Sequence, residues 1–127
     1  MRVLILGGDG YLGWPQAMHL SRRGHDVAIA DNFAKREWER ELGVQPLLPI
    51  GTLSERVAAW RELTGTSIPT FEGDLIEYDF VAGVIADFRP DAIVHFGEQP
   101  SAPYSMIDVA HATYTQHNNV TGTLNVL

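Results

Sequence analysis

Three glycines near the head of the chain define the chemistry that this sequence can offer. Gly7, Gly10 and Gly13 stand as G-x-x-G-x-x-G, directly after the apolar run Val3 to Leu6 and before an amphipathic stretch. At this spacing the first glycine permits a tight turn, and the second lets backbone N–H groups approach a pyrophosphate. The third allows a helix to lie close on a strand. The following helix aims its positive end at the same place, and Tyr11 and Leu12 share the turn. Asp31 closes the next apolar run, DVAIAD, at roughly the 20-residue spacing at which an acid grips the ribose of a dinucleotide. The pattern predicts a dinucleotide site, against the competing reading of a generic glycine turn. Asp31 favours NAD over NADP, because its carboxylate repels a 2′-phosphate. Lys35 and Arg36 follow closely and can offset that preference; Arg36 is divided between an adenosine contact and a solvated charge. No Gly-Lys-Ser/Thr occurs, so a mononucleotide P-loop is excluded.

The elements that must position these residues can be read from periodicity. Val3 to Leu6 has the continuous apolar character of a strand buried on both faces. A helix is expected from about Leu12 to Arg23, with Gly24 at its end, and Asp26 to Asp31 is a second strand. Between Ala34 and Gly65 two helical stretches are split by the segment Pro46 to Gly51, which is long for a simple crossover. Ile68 to Phe71 is a weak third strand, Tyr78 to Phe88 a helix stopped before Pro90, and Ala92 to Phe96 a fourth strand. From about Ile107 to Leu127 the pattern is that of one long helix without a C-terminal signal. Alternating strands and helices with right-handed crossovers predict an α/β, Rossmann-like parallel sheet of order 3-2-1-4, ending before a fifth strand. Strand four is then an edge with an apolar sequence, which needs further chain or a partner beside it.

Composition removes several alternatives. With 127 residues the chain suits one compact domain, residues 1-127. The net charge of −7, without a basic stripe, would repel nucleic acid. No apolar run is long enough to span a membrane, so no membrane association is expected. The absence of cysteine excludes disulfides and thiolate metal sites, and the scattered histidines have no ligand spacing, so no metal is expected. Lack of cysteine and of a leader after Met1 together suit a cytoplasmic protein.

The glycine spacing resembles that of the extended short-chain dehydrogenase/reductase superfamily, which includes sugar epimerases and dehydratases. Gly73-Asp74-Leu75 resembles that superfamily's element after strand three, whose Asp lies near the adenine. His95-Phe96-Gly97 resembles the strand-four motif lining the cofactor, and Asn118-Asn119-Val120 its Asn-containing helix. Longer runs are similar to the UDP-sulfoquinovose synthase family. These are Gly7 to Trp14, Asp31-Asn32, His95-Phe96-Gly97-Glu98-Gln99, Ser101 to Asp108 and Tyr114 to Asn119. The resemblance implies a cofactor site of Gly7, Gly10, Tyr11, Leu12, Gly13, Asp31, Asn32, Arg36, Asp74, Leu75, Phe96, Gly97, Glu98 and Asn118. Gln99, Ser101 and Ser105 follow strand four, at the edge where open sheets bind ligands, and are expected to face substrate.

That family makes UDP-sulfoquinovose from UDP-glucose and sulfite, with tightly held NAD accepting and returning a hydride at C4 of the glucose while water leaves from C6 and sulfite adds. A homodimer is expected. The base is the Tyr of a Tyr-x-x-x-Lys motif, its phenol made more acidic by the Lys, with a Thr on strand five. This chain has no such motif: its only lysine is Lys35, and the residues four past Tyr11, Tyr78, Tyr104 and Tyr114 are Pro15, Ala82, Asp108 and Asn118. No catalytic residue is therefore assigned, and the chain alone is expected to be inactive. Pro100 stands where the plant-type motif continues with Arg, which removes one cofactor or substrate contact. The alternatives are another NAD-dependent UDP- or dTDP-sugar epimerase or dehydratase, and a non-catalytic NAD-binding module.

Overall fold

A computed structural model describes all residues, Met1–Leu127. Strand β1 (Arg2–Leu6) lies parallel to β2 (Asp26–Asp31), with Val3 opposite Val27 and Ile5 opposite Ile29. β3 (Thr70–Glu72) pairs with the far side of β2, and β4 (Ala92–His95) with the far side of β1. The order is β3-β2-β1-β4, as the alternation of elements predicts.

Alternation along the two central strands divides the core in two. Val3, Ile5, Val27 and Ile29 face one side and pack with Ala17, Leu53, Trp60 and Ile68. Leu4, Leu6, Ala28 and Ala30 face the other and pack with Val84 and Phe88. The first layer is built by α1 (Gly13–Arg22) and α3 (Leu53–Thr64), the second by α4 (Tyr78–Phe88). Each fully buried Leu, Ile or Val contributes about 1.5–3 kcal/mol, so these two strands supply most of the sheet's cohesion.

Local sequence explains where the helices stop. Gly13, Ala17 and Ser21 recur at helical spacing on the buried face of α1, and the Trp60 indole N–H donates to the Ser21 hydroxyl at 3.1 Å. Gly24, just past the helix, adopts a left-handed φ of +81°, the conformation that ends such a helix most cheaply. Helix α2 (Ala34–Glu41) buries no residue, whereas α3 begins with a capping box of Thr52 and Glu55 and ends at Gly65. Arg89 takes a left-handed φ of +49° at the end of α4, because the residue before Pro90 cannot remain helical.

Two elements differ from expectation. The third strand begins at Thr70 rather than Ile68: Pro69 has no N–H to give a ladder and serves only as acceptor, taking the Ile29 N–H at 2.9 Å. Ile68 itself remains in the core. The long terminal helix is a composite. A short helix, α5 (Ala102–Ser105), is capped by Ser101 and precedes α6 (Val109–Gln116), which is capped by Asp108. A π turn at His117–Thr121 then leads into α7 (Gly122–Val126). No helix is long and apolar enough to cross a membrane.

Candidate functional site

The turn between β1 and α1 is shaped by what its glycines exclude. Gly7 has φ +79°, and a Cβ there would lie 2.5 Å from the Phe96 carbonyl oxygen, so the turn runs against the end of β4. A Cβ on Gly13 would sit 2.1 Å from the Gly7 oxygen, which is the close helix approach the spacing predicts. At Gly10 the only neighbour is the Gly7 oxygen at 3.3 Å, so the absent side chain leaves open space facing the cleft. No side chain caps the N-terminus of α1 and no acid stands in its first turn. Trp14 donates to the Gly10 carbonyl and Pro15 has no N–H, so the Gly13 N–H and the positive dipole end remain for an anionic ligand.

At the end of β2, Asp31 is fixed from two directions. The Asp9 N–H donates to Oδ2 at 2.8 Å and the Phe33 N–H to Oδ1 at 2.7 Å. Burial raises the Asp31 carboxyl above its ordinary value, against the pull of these two amides. Asn32 donates to an Asp74 oxygen at 2.9 Å and accepts from the Ala34 N–H, while Asp74 accepts from the Ile76 N–H. Asn125 of α7 holds the same loop by donating to the carbonyls of Leu75 and Ile76, both at 2.9 Å.

At the end of β4, His95 is satisfied by its surroundings. Its Nδ1 accepts the Gly97 N–H at 3.1 Å and its Nε2 faces Glu98 at 3.3 Å. Burial lowers its pKa, with Glu98 opposing, so the ring is neutral near pH 7. Thr123 donates to Glu98 at 2.8 Å. Asn119 grips the loop by accepting from the Gln99 N–H at 2.8 Å and donating to the Gln99 carbonyl at 3.1 Å. Asn118 in turn donates to Asn119 at 2.9 Å. Both asparagines lie in the π turn His117–Thr121, with Asn118 lining the cleft and Asn119 holding the Gln99 loop beside it.

These groups bound a cleft of about 500 Å³ along the carboxyl ends of the strands, within the usual range for small-molecule sites. It gathers Gly7, Gly10, Tyr11, Leu12, Gly13, Asp31, Asn32, Asp74, Leu75, Phe96, Gly97, Glu98 and Asn118, together with Gln99 and Ser101. Two expected residues stand outside. Arg36 turns to Asp9, with Nε and Nη2 donating at 2.7 and 2.9 Å, because an ion pair away from water outweighs a solvent-facing charge. Ser105 donates to the Ala102 carbonyl at 2.9 Å, as hydroxyls in a first helical turn do, and does not reach the cleft. Gln99 borders the cleft but is buried, and its side-chain oxygen accepts the Ser101 N–H at 2.6 Å; it shapes the loop.

One wall was not anticipated. Trp38, Glu39 and Leu42, from α2 and the residue after it, line the cleft with Pro100 and Tyr104, and the Trp38 and Tyr104 rings are 5.9 Å apart. Tyr104 donates to Glu41 at 2.9 Å, and His111 bridges Asp108 at 2.7 Å and Glu41 at 3.1 Å. Burial and Glu41 push the Tyr104 phenol up to about 12, so it stays a donor and is unsuited to act as a base. Trp38, Tyr104 and Tyr114 come together only in the fold, with ring centroids 5.9 to 6.3 Å apart, so the sequence carried no local signal for this wall. No group of three or more His, Asp or Glu is placed to hold a metal ion.

The profile of the NAD dependent epimerase/dehydratase family matches residues 3–127. The chain belongs to this family. It is 50% identical, over 126 residues, to a chloroplastic UDP-sulfoquinovose synthase of Spinacia oleracea, covering 99% of this chain and 26% of that protein. It is 46% identical to a UDP-sulfoquinovose synthase of Sulfolobus acidocaldarius, covering all of this chain and 32% of that one. Among solved structures, UDP-glucose 4-epimerase of Thermus thermophilus in complex with NAD superposes with TM-score 0.68 at 28% identity, over 99% of this chain and 32% of that one. The Bifidobacterium longum UDP-glucose 4-epimerase, at TM-score 0.76 and 21% identity, has the same fold; the match covers 99% of this chain and 32% of that one. NAD is the cofactor by which the epimerase/dehydratase family is named, and the residues present fit it: open space at Gly10, an uncapped helix start, and a fixed carboxylate at Asp31.

Proposed function

We propose that this chain is the NAD-binding portion of a nucleotide-sugar enzyme of the UDP-sulfoquinovose synthase type. The cofactor half of the reading is carried by one observation, the open space at Gly10 beside an uncapped helix start. NAD would supply reversible hydride acceptance. In this reading the Gly10 turn and the Gly13 N–H hold the pyrophosphate, and Asp31 binds the adenosine ribose hydroxyls. Asn32, Asp74 and Leu75 border the adenine, with Phe96, Gly97, Glu98 and Asn118 along the remaining length of the cofactor. Gln99 and Ser101 shape the loop toward the sugar, where the substrates are UDP-glucose and sulfite. The identity to the spinach protein supports this choice of sugar chemistry, although the chain spans 26% of that relative's length. The base and the rest of the substrate site belong to chain beyond these residues. A homodimer, or further chain, would cover the β4 edge.

The complete protein, given UDP-glucose, NAD and sulfite, is expected to yield a sulfonated nucleotide sugar, detected by mass spectrometry. Formation of UDP-galactose instead would replace the reading with a 4-epimerase. Pro100 lines the cleft where the plant-type motif carries Arg, so that contact is missing in either reading.

A further inference from the structure

Asp9 sits inside the cofactor turn, yet its carboxylate does not line the cleft. The side chain is 5% exposed and is enclosed by cations. Arg36 binds both of its oxygens, and Arg56 donates to Oδ1 and, at 3.2 Å, to the Asp9 carbonyl. Each guanidinium has a second anchor that does not involve the carboxylate. Arg36 donates to the Gly51 carbonyl at 3.0 Å, and Arg56 lies 5.0 Å over the Trp14 ring. Loss of the Asp9 charge would therefore leave two cations near where they now stand, beside the cofactor turn.

Next to this cluster is a place already fitted for negative charge. The Asp9 and Phe33 N–H groups both point at the Asp31 carboxylate, and the Arg36 charge is close enough to act on it. Wherever Asp31 meets an adenosine ribose, a 2′-phosphate would compete with its carboxylate for the same amides and the same cation. Lys35 is the remaining cation nearby, and Glu39 pairs with it.

We infer that Asp9 is a second determinant of cofactor choice, since it occupies the two arginines that would otherwise bind the 2′-phosphate of NADP beside Asp31. Asp31 repels that phosphate and Asp9 withholds its receptors. The inference rests on the dinucleotide reading and extends it to a residue whose side chain touches no part of the cleft.

Calorimetric titration of the complete protein with NAD and NADP tests it. Asp31→Ser is expected to weaken NAD and to raise NADP affinity less than threefold. Asp9→Ser added to Asp31→Ser is expected to tighten NADP at least tenfold over the single variant, with a gain that falls as salt rises. Adding Arg36→Gln and Arg56→Gln should abolish the gain. The pair Asp9→Asn and Asp31→Asn removes both charges with little change of shape, and should give the same direction if the serine pair fails to fold. Wild-type protein that binds NAD, with charge-removed pairs that gain nothing for NADP, would overturn this inference alone. A gain that survives loss of both arginines would do the same. Wild-type protein that binds neither cofactor would take the dinucleotide reading down with it.

Discussion

The β1–β2 half of the molecule and the β4 half solve the same problem to different degrees. Residues Val3 to Leu6 and Val27 to Ala30 are all buried, covered by α1 and α3 on one face and α4 on the other. Every residue of β4 is only partly buried, and the helical segment after it leaves Val109, Leu124 and Leu127 largely in solvent. The Asp31 side of the cleft thus rests on a finished core, while its other end rests on an unpaired edge. The lesson is that the two halves share the site unequally: the Asp31 contacts need only the finished half, whereas the Gly7 turn presses on the end of β4 and the Asp74 loop is held by Asn125 of α7.

The largest test of this division is Trp60→Ala. It removes a core side chain and the partner of Ser21, and should cost about 3–5 kcal/mol, read as a lowered denaturation midpoint. A cost near zero would mean that the β1–β2 half is not the stabilising one. Gly10→Val probes the cleft itself. Its Cβ meets only the Gly7 oxygen, so melting should shift by a few degrees at most while NAD affinity falls on the order of a hundredfold or more, about 2.7 kcal/mol. Unchanged affinity in calorimetry would contradict the site.

Much of this contrast is legible in sequence because it is local. G-x-x-G-x-x-G, the buried strand runs and Asp31 each carry their own geometry, and together they give the strand order and most of the cleft. What escapes is made by partners far apart in the chain. Nothing near Arg36 announces that it faces Asp9, and nothing near Glu41 announces Tyr104 and His111. The π turn escapes as well, since Asn119 within it bonds the Gln99 loop twenty residues away, a contact that the residues His117–Thr121 do not announce.

The α2 wall offers a milder probe. Hydrogen bonds to Asp108 and then Glu41 raise the His111 pKa above its ordinary value, with desolvation opposing. For a raised folded value, the stabilisation is complete below the unfolded pKa and is lost as pH rises through the folded one. Trp38 fluorescence should therefore report a tighter α2–α6 contact near pH 6 than near pH 8, and His111→Gln should flatten that profile. A profile that steepens with rising pH would reverse the assignment. The smallest effect is expected from Leu124→Ser in the 127-residue chain, within about 0.5 kcal/mol for a side chain already in water. The same change in the complete protein should cost several times more if further chain or a partner covers this stripe, and an equal cost would leave the stripe a free surface.

The contact between Gly7 and Phe96 also sets an order of events. Pairing of β1 with β2 needs only a loop of modest length, whereas the residue that presses on the turn arrives near the end of the fourth strand. Closing that larger loop is the slower step. A growing polypeptide should accordingly acquire its grip on the dinucleotide late, once β4 has docked, so that ligand capture reports long-range closure and not early collapse.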